Sequence, residues 1–520
     1  MLVKQITNRL KKYRSIYLGF AFVLYALTMA TAQRQLQNSY EELITNDHDA
    51  YQLLSAAEKG VFLYRTGFLQ NSLMIEFNFL DNDLNKKMSG VIPAGKNQTL
   101  SGVSYSGNRG YFLTRTSGKS YDFQLIGLRT DSAIYRITYF KNIVPLNTLF
   151  FTVSGTGAII AGYYNYRPVA LFCDLSTGTS KILPGLFNQR GEINQVLVND
   201  DHSFMVVLSL KNEGGKKSIF VQHYSAQGDL RRTAVIGSGK DRNLIFAQSI
   251  KSGQDSLLIA GIYGGRLEYS NGIFTAALNP DGKYTLRYYS YGDLRNFFSY
   301  MRPARQQRVT ARIERRKLKG KNTPFRYRML IHQLRKNPEG FSLLGESFYP
   351  SYRSTNNGFG SSVNTGLYSF IRPFYANQRD VTFDGFRYTH AVVLGIDKYG
   401  AVTWDNAFKI NNIKTFNLNQ YVHELSTPSR MFMYYDNGLE LQGKVIEQQG
   451  SVGEGKISDN KVRKDDYGSR MYNTRLTYWH PDALLRSGIR DVVFQTSATT
   501  VQYHKVFFVQ KVVKTYPPQP

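Results

Sequence analysis

Cysteine is almost absent: Cys173 is the only one in 520 residues. One thiol excludes an internal disulfide framework and cysteine-built zinc sites. Its place in the apolar stretch 169–173 predicts a buried, inert side chain. Tryptophan is scarce as well, with two residues against 37 tyrosines and 33 phenylalanines. Acids are outnumbered, 38 Asp+Glu facing 65 Lys+Arg, for a formal net charge of +27. Beyond the first 32 residues no apolar run approaches the roughly 20 residues that span a bilayer as a helix. With 42% hydrophobic and 20% charged residues, the composition excludes both a disordered chain and a polytopic helical membrane protein. The length admits one large domain or a few small ones. The basic excess bears on partners and says nothing about fold.

The first 32 residues read as an export signal. Lys4, Arg9, Lys11, Lys12 and Arg14 precede an uncharged run, Ile16 to Ala30, and Ala30-Thr31-Ala32 supplies the small residues of a cleavage site. The mature chain is expected to start at Gln33, with no transmembrane span after cleavage. An uncleaved anchor is the competing reading. Residues 33–59 are expected to form an N-terminal helical arm, because Leu36, Tyr40, Leu43, Ile44, Tyr51, Leu53 and Leu54 are spaced roughly helically.

From residue 60 the texture changes. Short runs of Val, Ile, Tyr, Phe and Thr alternate with Gly, Asn, Asp and Ser breaks, the pattern of strands and turns. The turns recur, as at Asn279-Pro280-Asp281-Gly282 and Asp397-Lys398-Tyr399-Gly400, each ending in the glycine that supplies a positive φ. Turn tips fall near positions 83, 131, 178, 228, 282, 340, 400 and 450, a spacing close to the length of a four-stranded propeller blade. The expected fold is therefore all-β, a single seven- or eight-bladed β-propeller over 60–520, preceded by the signal and the short helix. The last strands, from Asp491 to Val513, need a partner, so one unit is expected to close the ring.

These hairpins resemble the WD40-like and quinoprotein-like propellers of secreted bacterial proteins, with Asp397-x-x-Gly400-x-x-x-Trp404 the nearest match. The likeness is one of pattern and transfers no functional residue. Recurrent Trp-Asp pairs are missing, there is one clear Gly-Gly doublet (Gly264-Gly265), and the intervals at 397–404 do not fit a sialidase Asp-box.

Chemical motifs mostly fail. Gly237-Ser238-Gly239-Lys240 lacks the first glycine and the Ser/Thr of a phosphate loop. The eight histidines (48, 202, 223, 332, 390, 423, 480 and 504) lie more than five residues apart, so no local metal pair exists, and Gly-x-Ser-x-Gly is absent. The acid pairs Asp81/Asp83, Asp200/Asp201 and Asp465/Asp466 read as solvated turn carboxylates. Asn97-Gln98-Thr99 and Asp131-Ser132-Ala133 match short glycosylation patterns that a chain of this length contains by chance. No catalytic residue, metal or cofactor is expected.

One feature stands above this background. Arg302, Arg305, Arg308, Arg312, Arg315, Arg316, Lys317, Lys319, Lys321, Arg326, Arg328, Arg335 and Lys336 face a single acid, Glu314. The segment 302–336 is expected to be a hairpin insertion whose basic tip turns at Lys319-Gly320-Lys321-Asn322. Arg312, Arg315, Arg316, Lys317, Lys319, Lys321, Arg326 and Arg328 are the candidate anion-binding residues. An edge strand blunted by charge is the bland alternative. Two polar stretches, 351–366 and 448–470, are expected to be long loops. The functional expectation is a non-enzymatic interaction platform of the cell envelope, periplasmic or outer-membrane associated. It would bind an acidic envelope protein or an anionic lipid or glycan surface, within an outer-membrane or secretion assembly. Export argues against nucleic acid. The alternative is a propeller hydrolase or lyase acting on an acidic glycan from its central funnel; a third reading is a sugar-binding lectin.

Overall fold

The computed structural model describes residues 39–514 except 118–120, 142–143, 188–189, 240–241, 266–267, 355–380, 448–449, 458–470 and 496–500. The export signal, the first six residues of the expected arm, and positions 355–366 and 458–470 of the expected loops, with Asp465 and Asp466, lie outside the described residues. The chain is an eight-bladed all-β propeller. Seven blades are antiparallel meanders of consecutive strands: blade 1 (52–96), blade 2 (98–140), blade 3 (147–182), blade 4 (191–236), blade 5 (243–290), blade 6 (328–409) and blade 7 (423–456). Blade 8 takes three strands from 471–513, and its outer place is filled by Ser39–Ile44. First strands of neighbouring blades touch one another, which puts them around the axis.

The N-terminal strand corrects the expected helical arm. Ser39 pairs with Gln510 and Ile44 with Lys505, closing the ring between the two ends of the chain. Asp47–Asp49 and Ala57–Lys59 are single 3-10 turns, and Gln52–Ser55 is the first strand of blade 1. The helical spacing misleads because the acids in this stretch answer to cross-strand cations. Glu41 sits 2.7 Å from Arg490, and Asp47 sits 2.6 Å from Lys505. These ion pairs tie the N-terminal strand and the turn after it to blade 8.

The core lies between blades. One cluster joins Phe62, Phe77 and Phe79 of blade 1 to Phe112 and Ile126 of blade 2; another joins Val207 and Val221 of blade 4 to Ile259 and Phe274 of blade 5. Each middle strand is thus covered on both faces, and 157–164 and 257–264 read as nearly unbroken apolar runs for that reason. Cys173 is fully buried in the blade 2–3 cluster, and burial pushes its thiol up to about 12. Trp479 is buried too, donating from Nε1 to the Gly60 carbonyl at 2.8 Å.

The recurrent turns join third strands to fourth. Asp397 Oδ1 accepts the N–H groups of Tyr399 and Ala401 at 2.9 and 2.8 Å, and the Gly400 N–H reaches the Asp397 carbonyl at 3.1 Å. Gly400 has φ +79°, and Gly178, Gly228 and Gly282 hold the same place at +72°, +77° and +85°. Seven of the eight expected tips fall between a third and a fourth strand, one in each of blades 1–7. The tip at 340 is different: it joins the first two strands of blade 6. Blade 8 has no such tip because its fourth strand comes from the other end of the chain.

The meander gives the disc two distinct faces. One carries the first-to-second and third-to-fourth turns. The other, here the connection face, carries the second-to-third turns and the links between blades. Of the expected loop 448–470, Gly450–Lys456 is instead the outer strand of blade 7. Of the expected loop 351–366, residues 351–354 end the second strand of blade 6.

Candidate functional site

The basic insertion is not a hairpin. Pro303–Leu318 is an α-helix, α1, in the link between blades 5 and 6 on the connection face. Pro303 occupies the first turn, where its fixed φ suits a helix start. The residues that follow are mostly good helix formers: Ala, Arg, Gln, Lys and Leu. The presumed hairpin tip is the helix stop. Gly320, at φ +63°, donates to the Lys317 carbonyl at 2.9 Å, and Lys321 donates to the Arg316 carbonyl at 2.9 Å. Those two bonds make a Schellman cap. Arg315, Arg316 and Lys317 in the last turn also complement the helix dipole. A glycine at positive φ serves a hairpin and a helix end alike. The missed signal was the pairing of Pro303 with Gly320 around a stretch free of turn residues.

α1 rests on the propeller through one narrow stripe. Ile313 is buried in the core cluster of blades 5 and 6, and Val309, Phe325, Tyr300 and Met301 pack partly buried against that cluster. Beneath lies an aromatic nest in which the Tyr300 ring stacks on His390 at 3.7 Å, with Phe297 edge-on at 5.1 Å. Asp405 of blade 6 pins the underlying loop, accepting the N–H groups of Arg295 and Asn296 at 2.8 and 2.6 Å. Lys317 lies 3.0 Å from Asp293. Burial works against ionisation of Asp293, yet hydrogen bonds from Ser290 and Lys317 still hold its pKa below the ordinary value. The rest of the helix faces water, and Leu318 at its end is 87% exposed.

The eight candidate residues separate into groups. Arg312 and Arg315 are exposed on α1, and Lys319 and Lys321 are exposed in its cap. Arg316 spans the cap, donating from Nε and Nη2 to the Asn322 carbonyl at 3.2 and 3.0 Å. Lys317 is held by Asp293. Arg326 is exposed on the return segment. Arg328 is a correction: it is 6% exposed in the first strand of blade 6, 3.8 Å from Glu268 and over the Tyr269 ring, so it serves the fold and not a surface. Arg305 and Arg308, outside the candidate residues, are exposed on the same helix.

Exposed apolar side chains share this face. Phe68 and Leu69 flank the second-to-third turn of blade 1, where Gln70 and Asn71 are both left-handed. Tyr166, 83% exposed, stands at the same turn of blade 3 at φ +62°. A bulky aromatic at positive φ and in water is costly on both counts. Leu439 occupies the matching turn of blade 7 and Phe416 the blade 6–7 link, both exposed.

Nearer the axis, blades 6–8 gather histidine and acid side chains separated by many residues in sequence. His332 Nε2 lies 2.6 Å from Glu346 Oε2, and Glu346 also accepts the N–H of Val422 at 2.6 Å. His423 and Glu424 are buried beside Arg335, which lies over the Tyr478 ring at 3.8 Å. Burial lowers His423 to about 3, with Arg335, His332 and Arg475 adding to it. Burial raises Glu424. These groups tie blade to blade, and Glu346, His423 and Glu424 are buried. Among the described residues no group of three or more His, Cys, Asp or Glu is arranged to hold a metal ion.

No family model matches the sequence, and no curated protein matches it. Solved structures similar in shape include a quinohemoprotein alcohol dehydrogenase from Comamonas testosteroni (10% identity, 94% of this chain and 78% of that one, TM-score 0.42). They also include a polysaccharide lyase (9% identity, 91% and 99%, TM-score 0.40). A third is the β-propeller domain of the Trilobed protease from Pyrococcus furiosus (7% identity, 78% and 98%, TM-score 0.35). Quinoprotein dehydrogenases thus stand among the structures similar to it in shape. Similarity this distant transfers no chemistry, and the class to which the chain is assigned is the eight-bladed β-propeller of its own structure.

Proposed function

We propose that this protein is a non-catalytic interaction platform of the cell envelope that docks through its connection face onto an acidic protein or an anionic envelope surface. The observation that carries the reading is α1, a helix whose outward cations Arg305, Arg308, Arg312 and Arg315 extend to Lys319 and Lys321 with Glu314 as its only acid. Cations on a seated helix lose less freedom on binding than cations on a loose loop. Exposed Phe68, Leu69, Tyr166 and Phe416 on the same face add the aromatic and apolar contacts found at the centre of protein interfaces. Export rests on the charged, apolar and small-residue pattern of positions 1–32.

The test is affinity purification of the full chain from detergent-solubilised envelopes, followed by mass spectrometry. It is run beside a variant carrying Arg308→Ser, Arg312→Ser, Arg315→Ser and Lys319→Ser, which spares the cap residues Arg316 and Lys317. A partner recovered by the parent and lost by the variant is expected. Equal recovery by both contradicts the role of α1, and a recurring absence of partners with degradation of an acidic polysaccharide replaces the platform by an enzyme.

A further inference from the structure

We infer that the opposite face holds a binding site for a small organic carboxylate, in the cleft between blades 4 and 5. The cleft encloses about 290 Å³ and is lined by the strand ends of both blades. Its walls are apolar, including Met205, Val221, Leu257 and Leu278, and its polar rim is His223, Arg231, Arg232 and Lys251, with Asp255. A concave site with apolar walls and a few convergent polar groups is the usual form of a small-molecule pocket.

Three cations, Arg231, Arg232 and Lys251, line the cleft against one carboxylate, Asp255. Arg232 spends one N–H on the Asn279 carbonyl at 3.0 Å, and Lys251 is only loosely held, 3.7 Å from Asp201. Arg231 is exposed beside them. Guanidinium groups grip carboxylates in two parallel hydrogen bonds, so adjacent arginines at a half-open apolar cleft fit a carboxylate on a ring-sized apolar body.

His223 adds a reporter. Ser203 donates its hydroxyl to Asp201 Oδ1 at 2.6 Å, so its lone pair accepts from His223 Nε2, 3.2 Å away. That leaves Nδ1 as the nitrogen that takes up a proton from solvent. Burial lowers the His223 pKa, with Arg231 and Lys251 adding to it and Asp201 and Asp255 opposing. A bound carboxylate offsets the two cations and favours the imidazolium. Binding is therefore coupled to proton uptake and tightens as pH falls.

The test is titration of the full-length protein with benzoate, following the His223 ring signals by NMR and the proton balance by calorimetry in two buffers. Benzamide, of the same shape without charge, is the control. The inference predicts saturable benzoate binding with proton uptake, and benzamide binding at least about tenfold weaker. It also predicts at least about tenfold loss in Arg231→Gln/Lys251→Gln. Arg231→Gln alone, at an exposed position, weakens binding without touching the fold. The α1 variant named above binds benzoate as the parent does, which separates this site from the docking face. Equal binding of benzamide, or an unmoved His223 signal at saturating benzoate, overturns it.

Discussion

His390 makes the fold acid-sensitive in a way that can be measured. Its side chain is fully buried, stacked on Tyr300 and bonded through Nδ1 to Thr389 Oγ1 at 2.8 Å, while Nε2 has no partner. Burial lowers its pKa to about 3. The unfolded chain binds this proton near the ordinary histidine value, so the stability is present above about pH 6.5 and is lost as pH falls toward 3. Between about pH 6 and 5 one such histidine contributes a slope of roughly 1.2 kcal/mol per pH unit. His423, also near 3, contributes a second slope of the same sign. His390→Phe preserves the ring and removes the proton. Urea unfolding across that window should show the variant's stability falling less steeply than the parent's by that amount per unit, with little change above neutrality. An unchanged slope would mean that His390 is protonated in the folded protein, and the described burial would be wrong.

Two further outcomes follow from the packing. Gly162 sits in the second strand of blade 3, beside an irregularity in the first, and a Cβ there would stand 1.9 Å from the Asn147 carbonyl oxygen. Gly162→Ala should cost roughly 3 kcal/mol or more, because only backbone can move, whereas Gly67→Ala, with nothing within 4 Å, should stay within about 0.5 kcal/mol in the same denaturation assay. Asp436 and Arg486 form a buried pair at 2.5 Å between blades 7 and 8. Asp436→Asn should cost roughly 3–5 kcal/mol, and adding Arg486→Met should restore much of it; a double variant weaker than the single one refutes the pairing account.

The blades were readable because their chemistry is local. The Asp397-to-Gly400 type of turn needs an acceptor side chain and a positive φ within four residues, and both are visible in one sequence. Closure was not local: Ser39–Ile44 has no meaning as a strand until Lys505–Gln510 lies beside it, and its acids look helical until Arg490 and Lys505 are placed. Blade 6 held two recognisable tips and blade 8 none, so the spacing pointed to about the right number of units for a partly wrong reason. The charge run was plain, but its shape turned on Gly320, which suits a hairpin tip and a helix stop equally. Arg328 could not be told from Arg326, two residues away, because one begins the first strand of blade 6 and is buried while the other lies before it in the exposed return segment. The cleft of blades 4 and 5 was invisible, since His223, Arg231 and Lys251 gain meaning only when two blades are packed together.

The central claim is that α1 carries the docking charge. Its most direct measurement is the affinity of the full chain for poly-glutamate as a function of salt, parent against the Arg308→Ser, Arg312→Ser, Arg315→Ser, Lys319→Ser variant. Four of the 65 Lys and Arg residues are removed. If they form the interface, affinity falls at least about tenfold at low salt and the dependence on salt flattens, because each exposed ion pair is worth up to about 1 kcal/mol and is screened within roughly 10 Å. Equal affinity and an equal salt slope would contradict the account, because the binding charge would then lie elsewhere on the propeller.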